Sequence, residues 1–249
     1  MRHIQIKSNF RRTLCAGFAI AALSAVTLPA AHAQSYPNKP IKFVVPFSAG
    51  SATDNVGRII AQAMSDAWGQ PITIENKAGA NGILGAEAVK AAPADGYTFL
   101  VTTSTTQAAN VHLYRKLPYD PVKDFTPIGK IGEVGFILMV ANDFPAKNMK
   151  EFVSYAKSHP GKLAYGHGSS GSLVSAAMLT ELAGLETVGV PYKSIPPALT
   201  DLLGGQIQFA FADTGNAVSQ MNGGRMRGLG VTTKKRAGKA PNVPPIGDT

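Results

Sequence analysis

The chain has 249 residues, 45% of them hydrophobic, with one cysteine and a formal net charge of +9. That length holds one large domain or two small ones, and a lone cysteine excludes an internal disulfide framework and a cysteine-pair metal site. The positive charge is spread along the chain, with no basic stripe interleaved with aromatics, so it is not a nucleic-acid footprint.

Residues 1–33 read as a secretory signal peptide. Arg2, Lys7, Arg11 and Arg12 give a basic start, Leu14 to Leu28 an apolar core too short for a comfortable membrane span, and Ala31-His32-Ala33 a small-x-small cleavage site. Cleavage there removes Cys15 and four basic residues, leaving 20 Lys+Arg against 15 Asp+Glu. The mature chain is expected to be secreted and soluble, with no further stretch of membrane-spanning length.

The stretch that organises the remainder of the chain runs from Val44 to Asp54. The apolar run Ile41 to Val45 stops at Pro46, then comes a loop of small residues, and Thr53-Asp54 opens a helical pattern with Val56, Ile59, Ile60, Ala63, Met64 and Ala67. Strand, loop and helix in this order aim free N–H groups and a positive dipole end at whatever sits above the strand. Asp54 is expected to cap the helix, and Phe47 is the aromatic best placed to lie over a ligand. Gly69-Gln70-Pro71 ends the helix. Pro71 to Glu75 is a second strand, Asn76 to Gly82 a second small-residue loop, Ile83 to Ala91 a helix and Tyr97 to Val101 a third strand that runs into Thr102–Thr106. Strands alternating with helices predict a parallel sheet in an α/β domain.

Tyr114 to Pro127 is proline-rich and connects. Ile128 to Val140 is read as one or two extended segments, the second crossing to another domain. Helices are predicted over Ala146–Ser158, Leu173–Ala183 and Pro196–Leu203, with another opening at Asp213-Thr214-Gly215 and running to Met221. Strands are predicted over Lys162–Tyr165, Val188–Tyr192, Gln206–Phe211 and Met226–Thr232. Gly166 to Ser172 forms a third glycine- and serine-rich loop, and the last strand is one that crosses back. The domain plan is then signal peptide 1–33, first α/β lobe 34–138, second α/β lobe 139–226, and 227–249 as a return strand towards the first lobe. Ligands bind beyond the carboxyl ends of such sheets, and hinge closure around a ligand is the expected motion.

Catalysis finds little support in the residues. Gly166-His167-Gly168-Ser169-Ser170-Gly171 lacks the G-x-S-x-G of a nucleophile elbow. There is no His-Glu-x-x-His, cysteine pair or aspartate cluster for a metal. The glycines at 79, 82 and 85 are spaced G-x-x-G-x-x-G, unlike the dinucleotide fingerprint. Neither catalytic residue nor metal nor cofactor is assigned. For the three loops, ordinary turn chemistry is the bland alternative, and for Asp213 helix capping and a place facing the cleft weigh evenly.

Motifs spread along the chain carry a resemblance. They are Tyr36-Pro-x-Lys-Pro-Ile41, Val45-Pro-Phe-x-x-Gly-x-x-x-Asp54, Glu75-Asn-x-x-Gly-Ala-x-Gly-x-x-Gly85, Ala92-Pro-Ala-Asp-Gly-Tyr97, Leu117-Pro-Tyr-Asp-Pro-Val-Lys-Asp-Phe125, Val190-Pro-Tyr-Lys193, Ala198-Leu-Thr-Asp-Leu-Leu-Gly-Gly205 and Asn242-Val-Pro244. In this order and spacing they resemble the Bug family, the periplasmic substrate-binding proteins of tripartite tricarboxylate transporters. The resemblance implies a two-lobed type II periplasmic binding fold with crossing hinge strands, and a non-enzymatic, monomeric protein for a small carboxylate: a dicarboxylate, a tricarboxylate or an acidic amino acid. It implies capture by backbone N–H groups and bridging water.

Carried over by position, Phe47, Ser48, Ala49, Gly50 and Ser51, with Ala78, Gly79, Ala80, Asn81 and Gly82, would hold one carboxylate. Thr103 and Ser104 would line the cleft. Gly166, His167, Gly168, Ser169, Ser170 and Asp213 would meet the ligand's other end. Membrane transporter subunits are the expected partner, a sensor protein the alternative; a hydrolase or isomerase using His167 or Asp213 is the rival from another class. The chain departs from the family pattern at Ser51, Ala78, Gln107 and Ser175, each of which changes cleft polarity, so the substrate is not inherited. The family also continues for several tens of residues past Thr249, which implies a first lobe incomplete at its C-terminus.

Overall fold

The computed structural model describes residues 35–249, so the signal-peptide reading of residues 1–33 lies outside the described residues. Within Lys39–Thr249 the chain builds two sheets. The first contains β1 (Ile41–Val45), β2 (Ile72–Asn76) and β3 (Thr98–Leu100) in the order β2-β1-β3, all parallel. Parallel neighbours need crossover connections. These are supplied by α1 (Ala52–Trp68), between β1 and β2, and α2 (Ile83–Lys90), between β2 and β3. Side chains on a strand alternate between faces. Ile41, Phe43 and Val45 therefore join Ala61 and Val101 in one cluster, while Ile83 and Ala86 of α2 pack with Tyr119, Leu100, Leu117 and Phe125 in another.

The second sheet has five strands in the order β6-β5-β7-β4-β8: β4 (Phe136–Ala141), β5 (Leu163–His167), β6 (Thr187–Pro191), β7 (Phe209–Asp213) and β8 (Met226–Val231). Strand β4 runs antiparallel to both β7 and β8; β5 pairs in parallel with β6 and β7. Four helices accompany it: α4 (Met149–Ser158), α5 (Ser170–Leu182), α6 (Ile195–Leu203) and α7 (Thr214–Asn222). Here the central strands are buried on both faces, as expected of a sheet covered by helices on each side. Ile137, Met139, Ala210 and Ala212 face the cluster with Ile195, Leu199 and Leu202, while Leu138, Val140, Phe209 and Phe211 face Phe152 and Leu163.

Three expectations change. The strand expected to return to the first lobe, β8, pairs instead with β4 inside the second sheet, because its Leu229 and Val231 are needed to bury the faces of β4. Of the long stretch 128–140 only the part from Phe136 is strand, and residues 128–135 carry no regular structure, with Ile128 79% exposed. A helical segment also appears where none is predicted. After β3 the chain enters a π-helical turn, Thr105–Ala109, that continues into α3 (Asn110–Leu113). Its threonine-rich start has poor helix propensity, so tertiary packing decides its conformation. Among the described residues no helix is long and apolar enough to cross a membrane.

Candidate functional site

Because β1, β2 and β3 are parallel, the loops that leave their C-terminal ends emerge on one edge of the first sheet. Close packing then draws them together. A Cβ on Gly82 would meet Thr106 Cγ2 at 2.6 Å and Pro46 Cβ at 3.3 Å, and one on Gly85 would meet Pro46 Cα at 2.8 Å. Glycine at these two positions is what lets the second loop touch the first loop and the π-helical turn at once.

The first loop, Phe47–Ser51, is held by its polar contacts. Ser51, not Asp54, is the N-cap of α1, its Oγ accepting from the Asp54 N–H at 3.2 Å. Asp54 instead serves as the loop's internal anchor: Oδ2 accepts from the Gly50 N–H at 2.9 Å and Arg58 Nε at 3.0 Å, and Oδ1 accepts from Asn76 Nδ2 at 2.8 Å. Burial pushes the Asp54 carboxyl up, but the hydrogen bonds from Arg58, Gly50 and Asn76 outweigh it and hold it below the usual aspartate value. The consequence for binding is that Gly50 and Ser51 do not offer free amides, Ser51 N–H being bonded to Ser48 O. The amides of Ser48 and Ala49 have no acceptor among the described residues. Phe47 corrects a further expectation. Its ring is 3% exposed, in the cluster with Ile41, Phe43 and Val45, so only its backbone faces the loop.

The second loop has a different character. Gly79, Ala80, Asn81 and Gly82 carry φ of 138°, 47°, 53° and 85° in succession. A left-handed conformation costs an alanine roughly 1–2 kcal/mol, while asparagine and glycine visit it routinely. Such runs turn successive N–H groups towards one side, and concavities of this kind bind anions. The amides of Ala80 and Asn81 have no acceptor among the described residues, whereas Gly82 N–H closes the turn onto Gly79 O. Ala80 is exposed, and Ala78 and Asn81 are half-buried. Beside this turn, Thr103 Oγ1 accepts from the Thr105 N–H at 3.2 Å and Ser104 is exposed at the start of the π-helical turn.

In the second lobe the expected seven-residue loop is shorter than the sequence implies. Gly166 and His167 end β5, and Ser170 already begins α5, leaving Gly168 and Ser169 between them. The cause is a capping box: Ser169 accepts from the Ser172 N–H, and Ser172 Oγ accepts from the amides of Gly168 and Ser169, both at 3.1 Å. These amides are thus satisfied within the protein. Gly168 itself is fixed by the neighbouring chain segment, since a Cβ there would lie 2.1 Å from the Ser194 carbonyl carbon. Burial holds the His167 imidazole below its ordinary pKa. Asp213 caps α7, accepting from Asn216 N–H at 3.0 Å and Asn216 Nδ2 at 2.9 Å, as its capping reading expects.

A buried hydroxyl pair joins the two lobes. Thr105 Oγ1 lies 2.9 Å from Ser170 Oγ and accepts from the Ser170 N–H at 3.2 Å; the two residues are 2% and 4% exposed. The first residue of α5 therefore docks on the π-helical turn beside the first-lobe loops. The structure brings together the expected residues of the three first-lobe loops, and reaches Ser170 through Thr105, which sequence reasoning leaves out. Phe136 is also absent from the sequence-derived set: it pairs with Asp213 across the sheet, and its ring would lie 2.4 Å from a Cβ on Gly171. The available signal is its place as the first residue of an apolar strand after a glycine-broken stretch.

The arrangement offers backbone donors on the first-lobe loops beside the docked start of α5. A family model described as the tripartite tricarboxylate transporter family receptor matches residues 56–249. Protein BugT of Bordetella pertussis is 31% identical over 245 residues, which span 96% of this chain and 74% of that protein. An R. palustris protein solved with adipate superposes with a TM-score of 0.83 at 34% identity, over 86% of this chain and 72% of its own. MatC from Rhodopseudomonas palustris with bound malate superposes with a TM-score of 0.80 at 36% identity, over 86% of this chain and 73% of its own. The two-lobed α/β fold is thus that of the periplasmic binding proteins, and the chain belongs to the tripartite tricarboxylate transporter receptor family.

Proposed function

We propose that this protein is a periplasmic receptor that captures a small organic carboxylate and hands it to membrane transporter subunits, without chemical change to the ligand. The observation that carries the reading is the left-handed Gly79–Gly82 turn, with the unpaired amides of Ala80 and Asn81 beside those of Ser48 and Ala49. A carboxylate seated there accepts several charge-assisted hydrogen bonds, each contributing roughly 1.5–3 kcal/mol, which is enough for micromolar affinity or better. The relatives solved with adipate and malate hold dicarboxylates, which supports the substrate class.

In this reading the first lobe binds and the second lobe closes. The Thr105–Ser170 contact is the closed-state seam, and the second-lobe loop around His167 to Ser170 shapes the ligand's far end. The closed form is what the transporter recognises. The protein is secreted through the signal peptide of residues 1–33 and acts as a monomer.

The test is a thermal-shift screen followed by calorimetry with malate, adipate, citrate, aspartate and glutamate. A ligand of the native state stabilises by mass action, about 2.7 kcal/mol at a hundred times its Kd. One or more carboxylates should raise the melting temperature in proportion to the logarithm of their concentration. A cooperative melt that none of them moves overturns the carboxylate reading.

A further inference from the structure

We infer that Asn110, backed by Tyr119, is the positioning residue that holds the Ala80–Gly82 turn in its left-handed geometry. The inference deepens the carboxylate reading and rests on it for its functional consequence. Asn110 is fully buried at the junction of the π-helical turn and α3. Its side chain grips Asn81 twice. Oδ1 accepts from Asn81 Nδ2 at 2.9 Å, and Nδ2 donates to the Asn81 carbonyl at 3.1 Å. Both the side chain and the main chain of Asn81 are therefore fixed, and with them the direction of the neighbouring amides.

The clasp is itself held from behind. Asn110 Nδ2 also donates to Tyr119 Oη at 3.2 Å, and Tyr119 Oη donates to the Thr106 carbonyl at 2.7 Å. Tyr119 is 4% exposed and its ring meets Phe125 edge-on at 5.8 Å between centroids. A buried amide whose donor and acceptor are both used leaves no tolerance for exchange of either. Asn110 touches none of the amides offered to the ligand; it acts through Asn81. Thr106 and Thr105 are adjacent, so the residue that anchors Tyr119 sits next to the one that meets Ser170 of the second lobe. The turn that receives the carboxylate and the seam between lobes thus hang on one polar chain. The strain that the turn stores is maintained by the packing around it, as expected where function depends on an unfavourable backbone.

The experiment uses isotopically labelled full chain and reads the sign of φ at Ala80 and Asn81 from backbone chemical shifts and three-bond couplings, in wild type and in Asn110→Leu, Asn110→Asp and Tyr119→Phe. Malate and adipate are then titrated into each. Asn110→Leu should lose positive φ at both residues while the second-lobe resonances stay in place, and affinity for the wild type's ligand should fall at least tenfold. Asn110→Asp keeps the acceptor but not the donor and should fall between. Tyr119→Phe removes one oxygen and preserves packing, so it reports on the clasp even where Asn110→Leu does not fold, and should loosen the turn several-fold less. Positive φ retained at Ala80 and Asn81 in all three variants overturns the positioning role. Positive φ lost with affinity unchanged overturns its link to binding. A wild type with the left-handed turn intact that binds no carboxylate overturns the functional reading alone, leaving the clasp itself decided by φ.

Discussion

The two lobes are stabilised by different means. In the second, the central strands β4 and β7 are buried on both faces, with Leu138, Met139, Phe209 and Phe211 inaccessible to solvent. In the first, β1 alone is well buried, and β2 and β3 are half-exposed along their length. The second lobe is held by apolar burial. The loop edge of the first lobe is held by polar pins: Asp54 on the first loop, Asn110 and Tyr119 on the second. The difference teaches that an edge which must present unpaired amides cannot be secured by burying them, because a buried N–H without an acceptor is itself costly.

The sharpest way to break the contrast is Phe211→Ala. Loss of a fully buried aromatic costs about 3–5 kcal/mol, and a chemical melt should show it as a large drop in midpoint. Next in size is Asp54→Ala. It leaves the Gly50 amide without its acceptor and Asn76 Nδ2 with the Phe47 carbonyl alone, a loss of about 2 kcal/mol. It should also flatten the acid side of the stability curve. The native Asp54 carboxyl lies below its unfolded value, so its stabilisation is complete above about pH 4 and is lost as pH falls through the native value. An unchanged acid limb in the variant would remove Asp54 as the first loop's anchor.

Ile74→Ala on half-exposed β2 should cost only about 1 kcal/mol, since a partly buried side chain returns part of the transfer term of a full one. A cost equal to that of Phe211→Ala would mean that the first sheet is as tightly covered as the second. The smallest effect belongs to His167. Burial lowers its native pKa, so the unfolded chain binds more protons below about pH 6.5, and stability declines as pH falls from there through the native value. His167→Gln should remove that slope in pH-dependent melts while leaving stability at pH 8 unchanged within about 0.5 kcal/mol.

Much of the fold is legible in the chain. Pro46, the Gly69-Gln70-Pro71 stop and the spacing of Val56, Ile59 and Ile60 mark β1, its loop and α1, because proline and glycine act locally on φ and hydrogen bonding. The place of Phe47 is readable too, against the expectation of a ring over the ligand: Ile41, Phe43, Val45 and Phe47 keep a period of two, which puts the ring in the core. The serine-rich start of α5 reads as loop because serine is a poor helix former, yet the Ser169–Ser172 capping box begins the helix there. The π-helical turn and α3 give no periodic signal at all.

The sequence by itself determined most of the order of strands and helices and the place of the three loops, since turn chemistry and hydrophobic period are properties of neighbours along the chain. What tertiary structure decided is how the second loop is held. Asp54 and Ser172 consume donors in the first and third loops, while Asn110, distant in sequence, twists Asn81 so that the second loop keeps its own. The first two bonds span four residues and follow local capping chemistry, whereas the Asn110–Asn81 bond spans 29 residues and depends on where the folded chain brings its partner.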